Sequence, residues 1–430
     1  MDAVAFALEA EVDEEEDLMM TGAFLATFLG GIFMSHADRI QHRNPSRLYL
    51  CRPQLLPNPR IGTPWQRLLA SEDDRAYITT MGFDVATFNF LLYGPGRFAE
   101  QWNTFTIPRD DTSSTGKPRL GRRSLDAAGA LGLILHYLGS SMLEISLQQI
   151  FALVPATVSR YIKFAMMILL KTLQAMPEAK ICFPKTIEEL TEYTDLICTR
   201  HPLLRGAFAS IDGLSLVAQV SEDPEIENAT YNGWKSDHRI SNILVFSPLG
   251  TIIAAVLNSP GSWHDSHSAA RVYEKLKGIP SGFFLVADSA FPRGAKDIAG
   301  KIKTPVKDGD QLPTNPLDRR MLLEENAQLL SYRQTAEWGM RIIQGSFGRL
   351  RVPLPIANTK ERAELLEIVC RLSNVRATCV GINQIRQVYY PTWRASEDER
   401  LWKDLRNMVF GDIRHADRVA KFHLTEQAVN

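Results

Sequence analysis

Cysteine is scarce in this chain: 430 residues carry five, Cys51, Cys182, Cys198, Cys370 and Cys379, odd in number and widely scattered. That excludes a disulfide framework, and without a CxxC pair there is no sequence case for a structural zinc. A reducing compartment, cytosol or nucleus, is the expectation. Net charge is missing as well. Lysine and arginine number 48 against 49 acidic residues, a formal charge of −1, so no global field pulls the chain onto a polyanion and any nucleic-acid contact has to come from local patches. A convincing membrane span is also lacking. The candidate, Leu18 to Met34, is uncharged for 17 residues, the lower limit for a crossing. It contains Gly22, Gly30 and Gly31 and follows the acidic run Glu11 to Asp17, where a secretory signal would be positive. It reads as a packing helix, and no membrane partner is expected.

What is present is ordinary globular composition, 45% apolar and 23% charged, in a length that suits two to three domains. We expect an N-terminal extension with an apolar helix over 1–60, a helical region over 61–200, an α/β domain over 206–391 and a tail over 392–430. Within the helical region, LDAAGALGLILHYLGSS is an apolar helix. The stretch SLQQIFALVPATVSRYIKFAMMILLKTL then reads as a short helix, a turn at Leu153 to Pro155 and a longer helix from Ala156. This is helix-turn-helix spacing. Arg160 and Lys163 fall three apart on the second helix, where they either contact DNA or pair with acids of the domain that follows from Gly206. A polar loop around Asp110 to Pro118 leads into a basic cluster, Lys117, Arg119, Arg122 and Arg123, with no acid between its members.

From Gly206 the period becomes strand-like. AFASID and SLVAQV lie two residues apart across Gly213 and read as a hairpin. NILVFSPLGTIIAAVLN gives two more runs about a Pro248 to Gly250 turn. A helical SHSAARVYEKLKG, an apolar strand FFLVAD and an amphipathic helix around Tyr332 to Phe347 follow. The order implies an α/β fold: a ribonuclease-H-like mixed sheet preceded by an all-helical, helix-turn-helix-like region.

Four acids stand out against these elements. Asp212 and Asp288 each end an apolar run, Asp265 lies in GSWHDS after a strand, and Glu337 lies on the late helix. Convergent carboxylates suit a hard divalent cation, because without one they repel and raise each other's pKa. Each acid also has a structural reading: Asp212 as an Asx turn before Gly213, Asp265 as a helix cap, Asp288 as a cap of the loop at Phe291, Glu337 in a ladder with Arg333 and Arg341. His264 and His267 form an HxxH without a third ligand and make a poor zinc site.

The blocks SIDG, YNGWKSDHRISNILVFSPLG, GSWHDS, VADSAFP and AEWGMRIIQGSFGRLR, in that order between Ala207 and Pro391, resemble the nuclease domain of PIF/Harbinger-type transposases of the DDE superfamily, with a flavour of their fungal members. The resemblance implies a metal-dependent DNA endonuclease or transposase that hydrolyses phosphodiesters and transfers strands, with Asp212, Asp288 and Glu337 as the catalytic triad. It adds Asp265 as a further metal ligand and two Mg²⁺ or Mn²⁺ ions as cofactors. Lys235, Arg341 and Arg349, together with Arg239 and Arg351, become candidates for DNA phosphates. The partners implied are DNA, a separate Myb-like protein and a second copy of the chain; the compartment implied is the nucleus. The alternative is a domesticated, non-enzymatic nuclear factor that binds DNA or protein and retains the acids. Phe291 stands where the family often has Tyr, and Trp263 where a smaller apolar residue is frequent.

Overall fold

A computed structural model describes residues 50–108, 116–291, 298–307 and 310–381, with Ile385 and Val388. The apolar segment at 18–34, most of the 110–118 loop and the 392–430 tail lie outside the described residues.

The chain begins with helices: α1 (Pro64–Ser71), α2 (Asp74–Met81), α3 (Val85–Leu92), α4 (Phe98–Thr104), α5 (Ala127–Gly139), α6 (Glu144–Phe151), α7 (Pro155–Ala175) and α8 (Ile187–Cys198). Local chemistry sets their ends. Thr63, Asp73, Asp84 and Asp126 each accept a backbone N–H of the first turn, and Thr186 with Glu189 forms a capping box on α8. α5 is apolar on all sides and buried nearly throughout, which makes it the axis of the helical layer. α6 ends at Ala152, left-handed at φ 51, and α7 leaves at 95° to it from Pro155. The expected helix–turn–helix geometry is therefore present. Among the described residues no single helix is long and apolar enough to cross a membrane.

The second half holds β1 (Ala207–Val217), α9 (Pro224–Thr230), β2 (Tyr231–Asn232), β3 (Asp237–Phe246), β4 (Ile252–Pro260), α10 (Asp265–Ser268), α11 (Ala270–Lys277), β5 (Phe284–Ala287), β6 (Ile302–Lys303), α12 (Pro316–Ser346) and α13 (Thr359–Val375). The strands make one mixed sheet. β1 pairs antiparallel with β3, which pairs antiparallel with β4 and β2; on its other side β1 pairs parallel with β5, and β5 with β6. This is the ribonuclease-H-like arrangement expected. The hairpin expected at Gly213 is absent. β1 runs straight through it, pairing Asp212 with Leu244 and Gly213 with Ile243, so the Asp-Gly pair lies inside a central strand rather than in a turn.

Strand alternation divides the packing. Leu214 and Leu216 face a large core shared with Tyr332, Ala336, Met340 and Ile343 of α12 and with the helical layer from Trp65 to Leu173. Ala209 and Ile211 face a second core with Leu190 of α8 and with Val272 and Leu276 of α11.

Candidate active site

Three acids gather at the end of β5. Ile211 pairs with Ala287 in the parallel register of β1 and β5, so Asp212 and Asp288, one residue further along each chain, are neighbours where β5 stops. Parallel strands both point their carboxyl ends the same way, which is where open α/β sheets build sites. Asp212 lies on the α12 side, two residues from Ser210, whose hydroxyl shares a buried hydrogen bond of 2.7 Å with Thr335. That bond fixes the helix against the strand. Gly339 lets α12 lie close against β3 as well, because a Cβ there would lie 2.5 Å from the Phe246 ring. Glu337 is thereby carried to the rim beside Asp212.

Electrostatics report the same proximity. Burial pushes the Asp212 carboxyl up to about 6; the Gly213 N–H and Arg333 oppose the rise, and the negative charges of Asp288 and Glu337 add to it. Asp212 accepts the Gly213 N–H at 2.8 Å and Asp288 accepts the Ser289 N–H at 2.6 Å. Each keeps its other oxygen free of these bonds. Arg333 donates to Glu337 at 2.7 Å from one turn earlier, its Nε buried without a partner. The ladder reading of Glu337 is thus realised with Arg333 but not with Arg341.

Asp265 arrives from the other face. A Cβ on Gly213 would fall 2.6 Å from its Oδ2, and Ser241 donates to its Oδ1 at 3.1 Å. Gly213 and Ser241 both point toward the α11 side, opposite Asp212. The Asp265 carboxylate also helps burial push the Tyr273 phenol up. Asp265 opens α10 without capping it.

Among the described residues no three His, Cys, Asp or Glu side chains are gathered closely enough to hold a metal ion. The Glu337 bond to Arg333 is one physical reason. The donor set still fits a hard cation: carboxylate oxygens only, one of them half-buried and disfavoured as an anion by its neighbours. Asp212, Asp288 and Glu337 are the residues that would hold it.

The basic candidates divide. Lys235 and Arg122 are exposed. Arg123 is a correction to the loop reading: it is buried, donates to the carbonyls of Trp102 and Phe105, and lies over the Trp102 ring at 4.8 Å. It holds α4 in place and has no free face for phosphate. Arg349 lies over the Tyr137 ring at 4.3 Å. On α7, Arg160 is half-buried and Lys163 pairs with Glu361 of α13 at 3.0 Å, the pairing alternative left open by the sequence. Arg239, Arg341 and Arg351, each named singly as a phosphate candidate, converge around one cleft, a grouping that no spacing in the sequence revealed.

No curated protein and no solved structure matches the chain. Residues 211–374 match the family model described as DDE superfamily endonuclease, a similarity that starts inside β1, ends in α13 and takes in all four acids.

Proposed function

We propose that this chain is a divalent-metal-dependent DNA endonuclease of the Harbinger transposase type, acting in the nucleus on phosphodiester bonds and able to transfer the freed strand. The observation that carries the reading is the register of β1 and β5, which makes Asp212 and Asp288 adjacent at the end of β5, with Glu337 close enough to perturb Asp212. When bound, Mg²⁺ or Mn²⁺, as one ion or a pair, supplies neutralisation of phosphate charge and activation of a water or 3′-hydroxyl.

The chain's own residues do the rest. Asp212 and Asp288 provide fixed anionic oxygens on the rigid sheet, each held by a following backbone N–H. Glu337 completes the set when its carboxylate leaves Arg333, whose guanidinium is then free to face the substrate phosphate. A Myb-like partner and a second copy of the chain belong to the same proposal, since the near-neutral charge favours DNA affinity supplied from outside.

The test is nicking of supercoiled plasmid by the purified chain with Mg²⁺ or Mn²⁺. Cutting that EDTA abolishes, and that Asp288→Asn removes while the protein stays folded, is the expected result. Cutting retained by Asp288→Asn refutes the assignment. A second reading, a domesticated factor that binds DNA or protein without cutting, draws on the Arg333–Glu337 pair, which neutralises one acid of the three. It predicts no metal-dependent nicking by wild type.

A further inference from the structure

A cleft of about 390 Å³ opens beyond the acids on the α12 side of the sheet, between the end of β1, the start of β3 and the last turns of α12. Arg239, Arg341 and Arg351 line it with Ser215 and Gln344, and no acidic side chain is among its lining residues. Asp237, outside the cleft, lies 3.4 Å from Arg239 and offsets one of the three charges.

The arginines are held differently. Arg239 reaches the Ser215 carbonyl at 3.4 Å and keeps a buried Nε without a partner. Arg351 spends its Nε on the Gln344 carbonyl at 3.1 Å, which leaves its two terminal nitrogens available. Arg341 is exposed and, among the described residues, pairs with no acid. Three guanidinium groups around one opening, with donors left over, are the chemistry of phosphate recognition.

Position makes the ligand specific. Arg341 to Gly345 lie about 6 to 12 Å beyond Glu337 along the helix. Ser215 to Val217 lie about 10 to 17 Å beyond Asp212 along the strand. At about 3.4 Å of rise per nucleotide of a duplex strand, those distances are roughly two to five nucleotides. We propose that this cleft is the track holding the sugar-phosphate backbone of the substrate DNA, two to five nucleotides from the phosphate that faces the carboxylates. The inference rests on the nuclease reading for its substrate, and its test is independent of cutting.

The experiment measures binding of a short DNA duplex of arbitrary sequence by fluorescence anisotropy, in EDTA, across a salt series. Arg341→Gln with Arg351→Gln should lower the slope of log affinity against log salt by about 1.8, 0.9 for each lost phosphate contact. Arg341→Gln alone, at an exposed site, should lower it by about half as much and guards against misfolding of the pair. Arg271→Gln with Lys277→Gln, on α11 across the sheet, removes equal charge and should leave the slope unchanged.

An unchanged slope in the cleft variants overturns the proposal even if wild type cuts DNA. A reduced slope with no metal-dependent nicking by wild type upholds the cleft and refutes the nuclease. Inorganic phosphate at matched ionic strength should not displace the duplex; specific displacement would make the cleft a free-anion pocket and overturn the backbone track.

Discussion

Removing the Asp212 charge should stabilise the metal-free protein at neutral pH. In the folded chain this carboxyl is raised from 3.8 to about 6, chiefly by burial. The folded state therefore holds the Asp212 proton more tightly than the unfolded state does. Below about pH 4 the group is protonated in both states and costs nothing. As pH rises from there through about 6, the fold loses stability from this group, and the loss is complete above that. A rise of roughly two units corresponds to about 3 kcal/mol. Asp212→Asn keeps an oxygen for the Gly213 N–H and removes the charge. In EDTA its melting temperature should match wild type near pH 4 and exceed it by roughly 6 °C above pH 7, at about 2 °C per kcal/mol.

Metal should close most of that gap. At about a hundred times its dissociation constant, Mn²⁺ adds about 2.7 kcal/mol to a protein that binds it only when folded, and Asp212→Asn should gain much less. Melting by circular dichroism at four pH values, with EDTA and with Mn²⁺, reads all of this. If Asp212→Asn is less stable than wild type in EDTA at neutral pH, the carboxylate is a satisfied structural acceptor and the argument from crowded charge fails.

Arg333→Met should tighten Mn²⁺ binding about fivefold, measured by electron paramagnetic resonance, because it frees Glu337 from a partly exposed ion pair worth about 1 kcal/mol; weaker binding would make the guanidinium a support of the site instead of a competitor. Lys163→Ala breaks a pair whose side chains are 63% and 46% exposed, so stability should change by less than about 1 kcal/mol. If α7 is scaffolding, the salt slope of DNA binding should also stay constant, whereas a fall near 0.9 would make the helix a DNA reader. Gly213→Ala puts a methyl against the Asp265 carboxylate and should cost about 1 to 3 kcal/mol in urea unfolding, with Asp265→Ala restoring most of it in the double variant.

Period and end signals made most elements legible. The β3–β4 hairpin about Gly250, the helix–turn–helix and α12 all follow from patterns of apolar residues and caps carried by consecutive residues. Asp288 was legible as a strand-end acid for the same reason, whereas Asp212, read as ending a strand, lies inside β1. Gly213 was not legible. Asp-Gly is a frequent hairpin dipeptide, and nothing local reveals that the glycine is needed because another segment's carboxylate presses on its Cα. Arg123, Arg349 and Lys163 were misjudged or left open for one shared reason. Their partners, Trp102, Tyr137 and Glu361, lie on other elements, the last of them 198 residues away. A charged residue's neighbours across a core leave no periodic trace in its own segment. The arginine cleft combines three elements in the same way, so its members were nameable singly and not as a set.

Asp265 shows how strand alternation limits a constellation read from sequence order. Asp212 projects toward α12, and the next residue projects toward α11, where the Asp265 carboxylate fills the space a side chain on Gly213 would take. The β3 edge of β1 stays paired past this point, whereas pairing with β5 ends at Ile211. The open edge therefore lies on the β5 side, where Asp212 and Asp288 meet, while Asp265 is held on the β3 side by Ser241. Where it stands, it braces β1 against β3 at Gly213, on the face opposite Asp212.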